Sequence, residues 1–391
     1  MPVNIAGLFP CQSGISTPKV RLSYQPPRNA GMNEDTLRKI AGVVKEGMDN
    51  QAFPGCQILV AKNGIVVYNQ SFGYFDYEKT HAVQNSGVYD LASVTKATAT
   101  LSAVMKLVDL NKIRLNEPLS KYIRELKHTG KAHLTIEDAL YHETGLPAFL
   151  PFYKEVDTSK NIENQVIEII ANTPLKNQHR YLYSDLNFVL LKKLVETVSG
   201  KSLDQFTEQE FFAGLGAYST TFLPLRKIKA TTIAPTEYNE WRNRLLIGEV
   251  HDETAAVLGG VSGNAGLFSN ANDLAKLLQL YLNDGSYGGK EYVSPKTARL
   301  FTQTQSPHSR RGLGFDKPDK IKETGSTSRQ APASTYGHTG FTGTCFWIDP
   351  DNQLIYIFLS NRVYPSRSHA QLMERNIRPR IHDIIYQSIE K

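Results

Sequence analysis

The spacing of apolar residues along the chain changes several times. Over residues 32–50, MNEDTLRKIAGVVKEGMDN, the residues Leu37, Ile40, Val43, Val44 and Met48 recur at helical spacing, which predicts an amphipathic helix. The pattern then switches to two β-rich runs, CQILVAK and IVVYNQSFGYFD, on either side of Asn63-Gly64, a dipeptide that predicts a tight hairpin. Near the other end, GTCFWIDPDNQLIYIFLSNR repeats that design around Asp349-Pro350-Asp351-Asn352. The last stretch, HAQLMERNIRPRIHDIIYQSIEK, returns to helical spacing, with a bend expected at Pro379.

Between the hairpins the periodicity is mostly helical, clearest over 93–111, 163–172, 187–199 and 272–284. Hairpins at both ends predict one antiparallel sheet built from both termini, with the first and last helices packed on it. The fold class expected is α/β in the α+β sense. The sheet part is drawn from about 33–90 and 330–391, and a helical insert spans about 91–329. Residues 1–32 are rich in Pro, Gly and Ser without periodicity and read as an arm or linker.

Composition narrows the function. At 391 residues with 40% hydrophobic and 21% charged, the chain has the make-up of an ordinary globular protein with a large core. No apolar run approaches the ~20 residues of a membrane span. A formal charge of +6, without a basic stripe interleaved with aromatics, argues against a nucleic-acid partner. Three widely spaced cysteines (Cys11, Cys56, Cys345) predict neither a disulfide framework nor a zinc site, and no metal or cofactor motif is present. The first 20 residues lack the basic start and apolar core of a signal peptide, so the chain is either cytoplasmic or separated from its targeting segment.

Candidate chemistry begins at DLASVTKATATL (90–101). Ser93 and Lys96, three apart on a helix, share one face, so the amine can reach the hydroxyl. The alternative is that Ser93 only caps the helix. The same S-x-x-K pattern occurs at Ser16 and Ser388, but Pro18 disrupts the first and the second lies at the terminus. Only Ser93 opens a long helix, whose free N–H groups favour a developing alkoxide. A second element is Tyr183-Ser184-Asp185, placed just before an amphipathic helix. The related Tyr74-Phe75-Asp76 ends a strand, and Tyr281-Leu282-Asn283 lies inside a helix. A third is His338-Thr339-Gly340, which runs straight into a strand, whereas His128-Thr129-Gly130 sits in a polar loop. Glycines 337, 340 and 343 let the backbone come close to a ligand, and the segment reads as a sheet edge able to bind an extended substrate.

The ordered set Ser93/Lys96, Tyr183/Asp185 and His338-Thr339-Gly340 resembles the serine β-lactamase and penicillin-binding-protein superfamily. It is closest to the branch of class C β-lactamases, D-alanyl-D-alanine carboxypeptidases and esterases. The resemblance extends over residues 33–385 and takes in LYHETGLP (140–147) and GGVSGNAGLFSNANDLAKL (259–277). It implies that Ser93 is an acyl-forming nucleophile, Lys96 takes or orients its proton, and Tyr183 is a general base or acid. The N–H groups of Ser93 and Phe341 would form the oxyanion hole, with Asp185, His338, Thr339 and Gly340 binding substrate. It further implies a small-molecule or peptidoglycan-derived substrate, a periplasmic or cell-envelope setting, and membership of a longer multidomain protein as one arrangement. A penicillin-recognising module without turnover is the alternative. Asp185 stands where the branch usually has asparagine, and His338 where β-lactamases usually have lysine. The first would favour a charged Lys96 and shift the base role toward Tyr183. The second removes a permanent positive charge, so the ester or amide that the resemblance implies as substrate is a D-alanyl peptide, a small ester or, only weakly, a β-lactam.

Overall fold

The computed structural model describes residues 21–176, 179–319 and 325–390. A six-stranded sheet forms its centre: β1 (Ser23–Tyr24), β2 (Gly55–Lys62), β3 (Ile65–Gly73), β4 (Tyr336–Thr339), β5 (Cys345–Asp349) and β6 (Leu354–Ser360), in the order β1-β3-β2-β6-β5-β4. Both hairpins have local causes. Asn63 (φ 54°) and Gly64 (φ 76°) take the left-handed conformations that a two-residue turn between twisted strands requires. At the other end the Asp349 carboxylate accepts from the N–H groups of Asp351 and Asn352 (2.9 and 3.1 Å), an Asx turn that closes β5 onto β6.

The two halves join where β2 pairs antiparallel with β6, from Cys56 opposite Ser360 to Lys62 opposite Leu354. Both faces of this sheet are buried, so successive residues enter different cores. Tyr356 and Phe358 pack with Ile58, Trp347 and the terminal helices α1 (Glu34–Arg38), α2 (Ile40–Asp49) and α6 (Ile377–Gln387). Ile355, Ile357 and Leu359 face the opposite way, into the core shared with the helical region. That region contains α3 (Leu101–Asp109), α4 (Asp185–Ser199) and α5 (Ala271–Leu282). Three small sheets also occur there, among them Tyr89–Asp90 and Thr221–Phe222 on either side of Leu267–Ser269. Strands of two or three residues carry too little alternation to be read from sequence. Among the described residues no helix is long and apolar enough to cross a membrane.

Two expectations change. The last helical stretch does not bend at Pro379 but breaks at Asn376, which is left-handed (φ 51°). Pro379 sits in the first turn of α6, where an N–H has no helical acceptor to lose. Of the stretch read as an arm, residues 1–20 lie outside the described residues, while Ser23 and Tyr24 add a parallel edge strand beside Ile65 and Val66. Residues 31–33 are also tied to residues 388–390, Asn33 N–H to Ser388 O (2.7 Å) and Glu390 N–H to Gly31 O (2.9 Å).

Candidate active site

The Ser93 segment is held by a buried carboxylate. Asp90 accepts from the N–H of Ala92 (2.8 Å) and of His251 (2.7 Å). Ala92 is thereby kept left-handed (φ 46°), which costs a non-glycine residue about 1–2 kcal/mol. The chain turns sharply there and enters a helix at Val94, with Lys96 N–H donating to Ser93 O (3.0 Å). Ser93 therefore occupies the cap position, yet its hydroxyl caps no backbone N–H; it receives the Lys96 ammonium instead (2.9 Å). The turn Lys96–Thr100 is wound wider than α before α3 continues, a feature that recurs at functional sites. Small residues let this helix be buried on all sides. The hydroxyls of Thr98 and Ser102 donate back to Val94 O and Thr98 O (both 2.8 Å), so that none is left unpaired.

Lys96 is fully buried. Its ammonium also donates to Asn264 O (2.9 Å) and lies 2.6 Å from Asp185 Oδ1 and 5.1 Å from the centre of the Tyr183 ring. Burial pulls its pKa down, but Asp185 and Tyr183 outweigh burial and hold it above the ordinary lysine value. Asp185 is the first residue of α4, where the helix N-terminus favours a carboxylate. Tyr183 stacks on His142 (4.5 Å between centroids, 28°). The Nδ1 of His142 accepts from Ser184 N–H (3.0 Å), and burial with nearby Arg311 holds this imidazole neutral, well below the usual histidine pKa. The LYHETGLP segment thus supplies the wall against which Tyr183 is set.

The third element lies at the sheet edge, as its sequence context predicted. Gly337 in β4 exchanges backbone hydrogen bonds outward with Asp316 (2.8 and 2.9 Å). By the same alternation Thr339 turns its backbone toward the cleft. Buried His338 donates through Nδ1 to Thr339 O (2.8 Å), leaving Nε2 an acceptor without a partner among the described residues. Burial, Arg311 and Lys96 hold its pKa well below the usual value, so it carries no positive charge. The loop after it is fastened to the Ser93 strand: Thr342 and Thr344 hydroxyls donate to Asp90 O (2.7 Å) and Leu91 O (3.0 Å). A Cβ at Gly340 would lie 2.5 Å from Leu91 O, so glycine is required for that approach. Neither Ser93 N–H nor Phe341 N–H has an acceptor among the described residues. The Phe341 ring is half exposed between His251 (5.6 Å) and the Arg362 guanidinium (4.5 Å).

All the sequence-predicted positions thus converge. Ser93, Tyr183, Asp185, His338, Thr339, Gly340 and Phe341 line one cleft of about 670 Å³, and Lys96 lies beneath it. The competing copies do not join them. Tyr281 is buried in α5 and bonded to Ala97 O (2.8 Å), Ser388 bonds to Ile385 O at the end of α6, and Ser16 lies outside the described residues.

Sequence reasoning missed several groups in and behind the cleft, of which Arg311, Asp252 and Asn264 bear on the chemistry. Arg311 is buried, faces the Tyr181 and Tyr183 rings (5.3 Å to each), donates to the Tyr181 hydroxyl (2.9 Å) and lies 3.7 Å from the Asp316 carboxylate, while its Nη1 has no hydrogen-bond partner among the described residues. Its only sequence signal was the basic spot HSRRG (308–312). Asp252 lines the cleft from a loop with no periodicity to mark it, and Asn264 is buried behind it, inside the 259–277 segment quoted for the resemblance but with no role read for it.

Comparison with known proteins bears on the family and the fold. The Beta-lactamase family model matches residues 40–376. A protein of Escherichia coli (strain K12) named "Putative D-alanyl-D-alanine carboxypeptidase" is 34% identical over 373 residues, covering 87% of this chain and 86% of its own length. Among solved structures, "EstCE1, a hydrolase with promiscuous acyltransferase activity" is similar with a TM-score of 0.71 at 20% identity, covering 90% of this chain and 99% of that one. A penicillin-binding protein homologue from Caulobacter crescentus has a TM-score of 0.70 at 17% identity, covering 92% and 99%. At these identities the two structures speak for the fold alone.

Proposed function

This chain belongs to the Beta-lactamase family, and from that premise we propose that it is a serine hydrolase working through an acyl-enzyme on a peptide of the D-alanyl type. The observation that carries the proposal is the buried Lys96 ammonium 2.9 Å from the Ser93 hydroxyl, with Tyr183 alongside. Ser93 Oγ attacks the scissile carbonyl, and its proton passes into the Lys96–Tyr183 pair. The charge that develops on the carbonyl oxygen is received by the free N–H groups of Ser93 and Phe341, each worth about 3–4 kcal/mol of barrier. Tyr183 returns the proton to the leaving amine. It then draws a proton from the water that hydrolyses the acyl-enzyme. Because Asp185 keeps Lys96 charged, Tyr183 carries the larger share of the base role.

The substrate class proposed is supported by where the cleft holds charge. His338 is neutral, which leaves the third motif without the cation that attracts a β-lactam carboxylate. Arg311 supplies a cation instead, and its Nη1, which has no partner among the described residues, is a buried donor that an anionic ligand would satisfy. A peptide with a free terminal carboxylate fits that donor, and the name of the Escherichia coli relative points the same way.

The test is covalent labelling followed by turnover. A fluorescent penicillin or a fluorophosphonate is expected to label the protein at Ser93 and not the Ser93→Ala variant, and D-alanine is expected to be released from a D-Ala-D-Ala peptide. Absence of labelling by both reagents together with absence of D-alanine release would overturn the proposal.

A further inference from the structure

Asp252 stands in the cleft facing the lysine site, and nothing in the reaction as described uses it. Its Oδ1 accepts from Ala255 N–H (2.8 Å), capping the short helix Glu253–Val257, and from the Asn264 side-chain amide (3.0 Å). Asn264 is buried and fixed by the Ser262 hydroxyl (2.7 Å), and its carbonyl accepts from Lys96 Nζ (2.9 Å). A hydrogen-bonded path therefore runs from one carboxylate through Asn264 to the ammonium, while the other carboxylate, Asp185, touches that ammonium directly.

The remaining charged groups nearby are engaged elsewhere. Glu253 pairs with Arg367 (2.6 Å), and His251 faces Glu237 (3.3 Å). Arg242 donates to the carbonyls of Val250 and His251 (2.6 and 2.8 Å). The charges that Asp252 meets are those of Lys96 and Asp185.

Resting on the acyl-enzyme reading, we infer that Asp252 is a positioning residue for the reaction, which leaves the Lys96 cluster one proton short and able to take the proton of Ser93. With Lys96 charged and both carboxylates ionised, the cluster carries a net charge of −1. When the Ser93 Oγ–acyl bond forms, Lys96 hands one proton to Asp185 Oδ1, 2.6 Å away, and takes the hydroxyl proton in its place, which brings the cluster to neutrality. When the leaving amine takes that proton, the cluster returns to −1, so the cycle balances. If Asp252 is protonated or removed, the resting cluster is already neutral. The same transfer then creates a net buried positive charge, which the low dielectric penalises. Burial and the neighbouring Asp185 charge push the Asp252 carboxyl up to about 6. The proton-accepting state is therefore present above that pH and lost below it.

The experiment compares wild type with Asp252→Asn. That variant keeps an acceptor oxygen for Ala255 and Asn264 and preserves a good capping residue. The kcat and KM for p-nitrophenyl acetate are measured from pH 5 to 9, with Tm beside them. The inference expects an acid limb in the wild-type kcat near pH 6. In Asp252→Asn it expects kcat lower by about tenfold or more at pH 7.5, KM within twofold, and the limb gone. Asp252→Glu should restore the limb. If Asp252→Asn melts early, Asp252→Ser, which also caps a helix, takes its place with the same expectations. A folded variant that retains wild-type kcat within twofold, together with the acid limb, overturns the inference. Wild-type Ser93 labelling separates the two readings: without it the acyl-enzyme reading fails, and with it an unchanged pH profile removes only the role given to Asp252.

Discussion

The short contact between Asp185 and Lys96 makes the most demanding prediction, because asparagine at 185 is what the branch usually carries. Asp185→Asn keeps the size of the side chain and removes its charge 2.6 Å from the ammonium. Removing one partner from a buried ion pair costs about 3–5 kcal/mol, since the remaining charge loses its compensation. The Asp185 side chain is 18% exposed, so the lower end of that range applies. At about 1.4 kcal/mol per tenfold change, 3 kcal/mol lowers the proton affinity of Lys96 roughly a hundredfold. Burial, which opposes the charge, then has no adjacent carboxylate against it. Lys96 should lose its proton at lower pH and take over part of the base role from Tyr183. The assay is kcat/KM against pH for p-nitrophenyl acetate, run for wild type, Asp185→Asn, Tyr183→Phe and the double variant. We expect a displaced profile in Asp185→Asn and a smaller loss from Tyr183→Phe on that background than on wild type. A profile superimposable on wild type, with the two substitutions adding independently, would refute the reasoning.

Arg311→Ala should raise KM about tenfold or more for a D-Ala-D-Ala peptide, the value of one hydrogen bond to a charged group. It should leave p-nitrophenyl acetate, which has no carboxylate, within twofold, and equal effects on both substrates would exclude the anion role. Stability should also fall in acid. Buried His382 accepts from Ser328 N–H (3.2 Å) and is pushed down to about 3 by burial. Because its folded value lies below the unfolded one of about 6.5, the unfolded chain binds the extra proton first. Stability is then lost as pH falls from about 6.5 toward 3, and His142 and His338, also held neutral, add to the loss. Calorimetric Tm values from pH 7.5 to 4 should show this decline and a shallower one for His382→Gln; parallel curves would refute it.

What could be read from the sequence was what local physics determines. Asn63-Gly64 and the Asp349 turn fix their hairpins within a few residues, and both hairpins stand where the pattern put them. Ser93 and Lys96 needed only helical spacing to meet, and His338 needed only a strand after it. What was not legible depends on residues distant in sequence. Nothing near Ala92 announces that Asp90 will force it left-handed, nor does anything around residue 311 mark a guanidinium against Tyr183. Asn264 reaches Lys96, and Asp252 reaches Asn264, from loops whose paths only the packed structure defines. The misplaced bend at Pro379 has the same origin. Proline is tolerated in a first helical turn, and whether that turn begins at 377 is settled by how α6 docks on the sheet.

The two threonine clips between residues 342–344 and 90–91 also bear on biosynthesis. One unpaired N–H belongs to residue 93 and the other to residue 341, and the strand that supports the second pairs into a sheet completed by residues 354–360. A ribosome-bound chain that has made its nucleophile still lacks its second donor for some 250 residues. Closing the sheet across that span brings a large loop-closure entropy and a high contact order, both marks of slow folding. The reactive centre can therefore be assembled only after residues 354–360 have been made, and a chain terminated before them contains Ser93 without the geometry that would arm it.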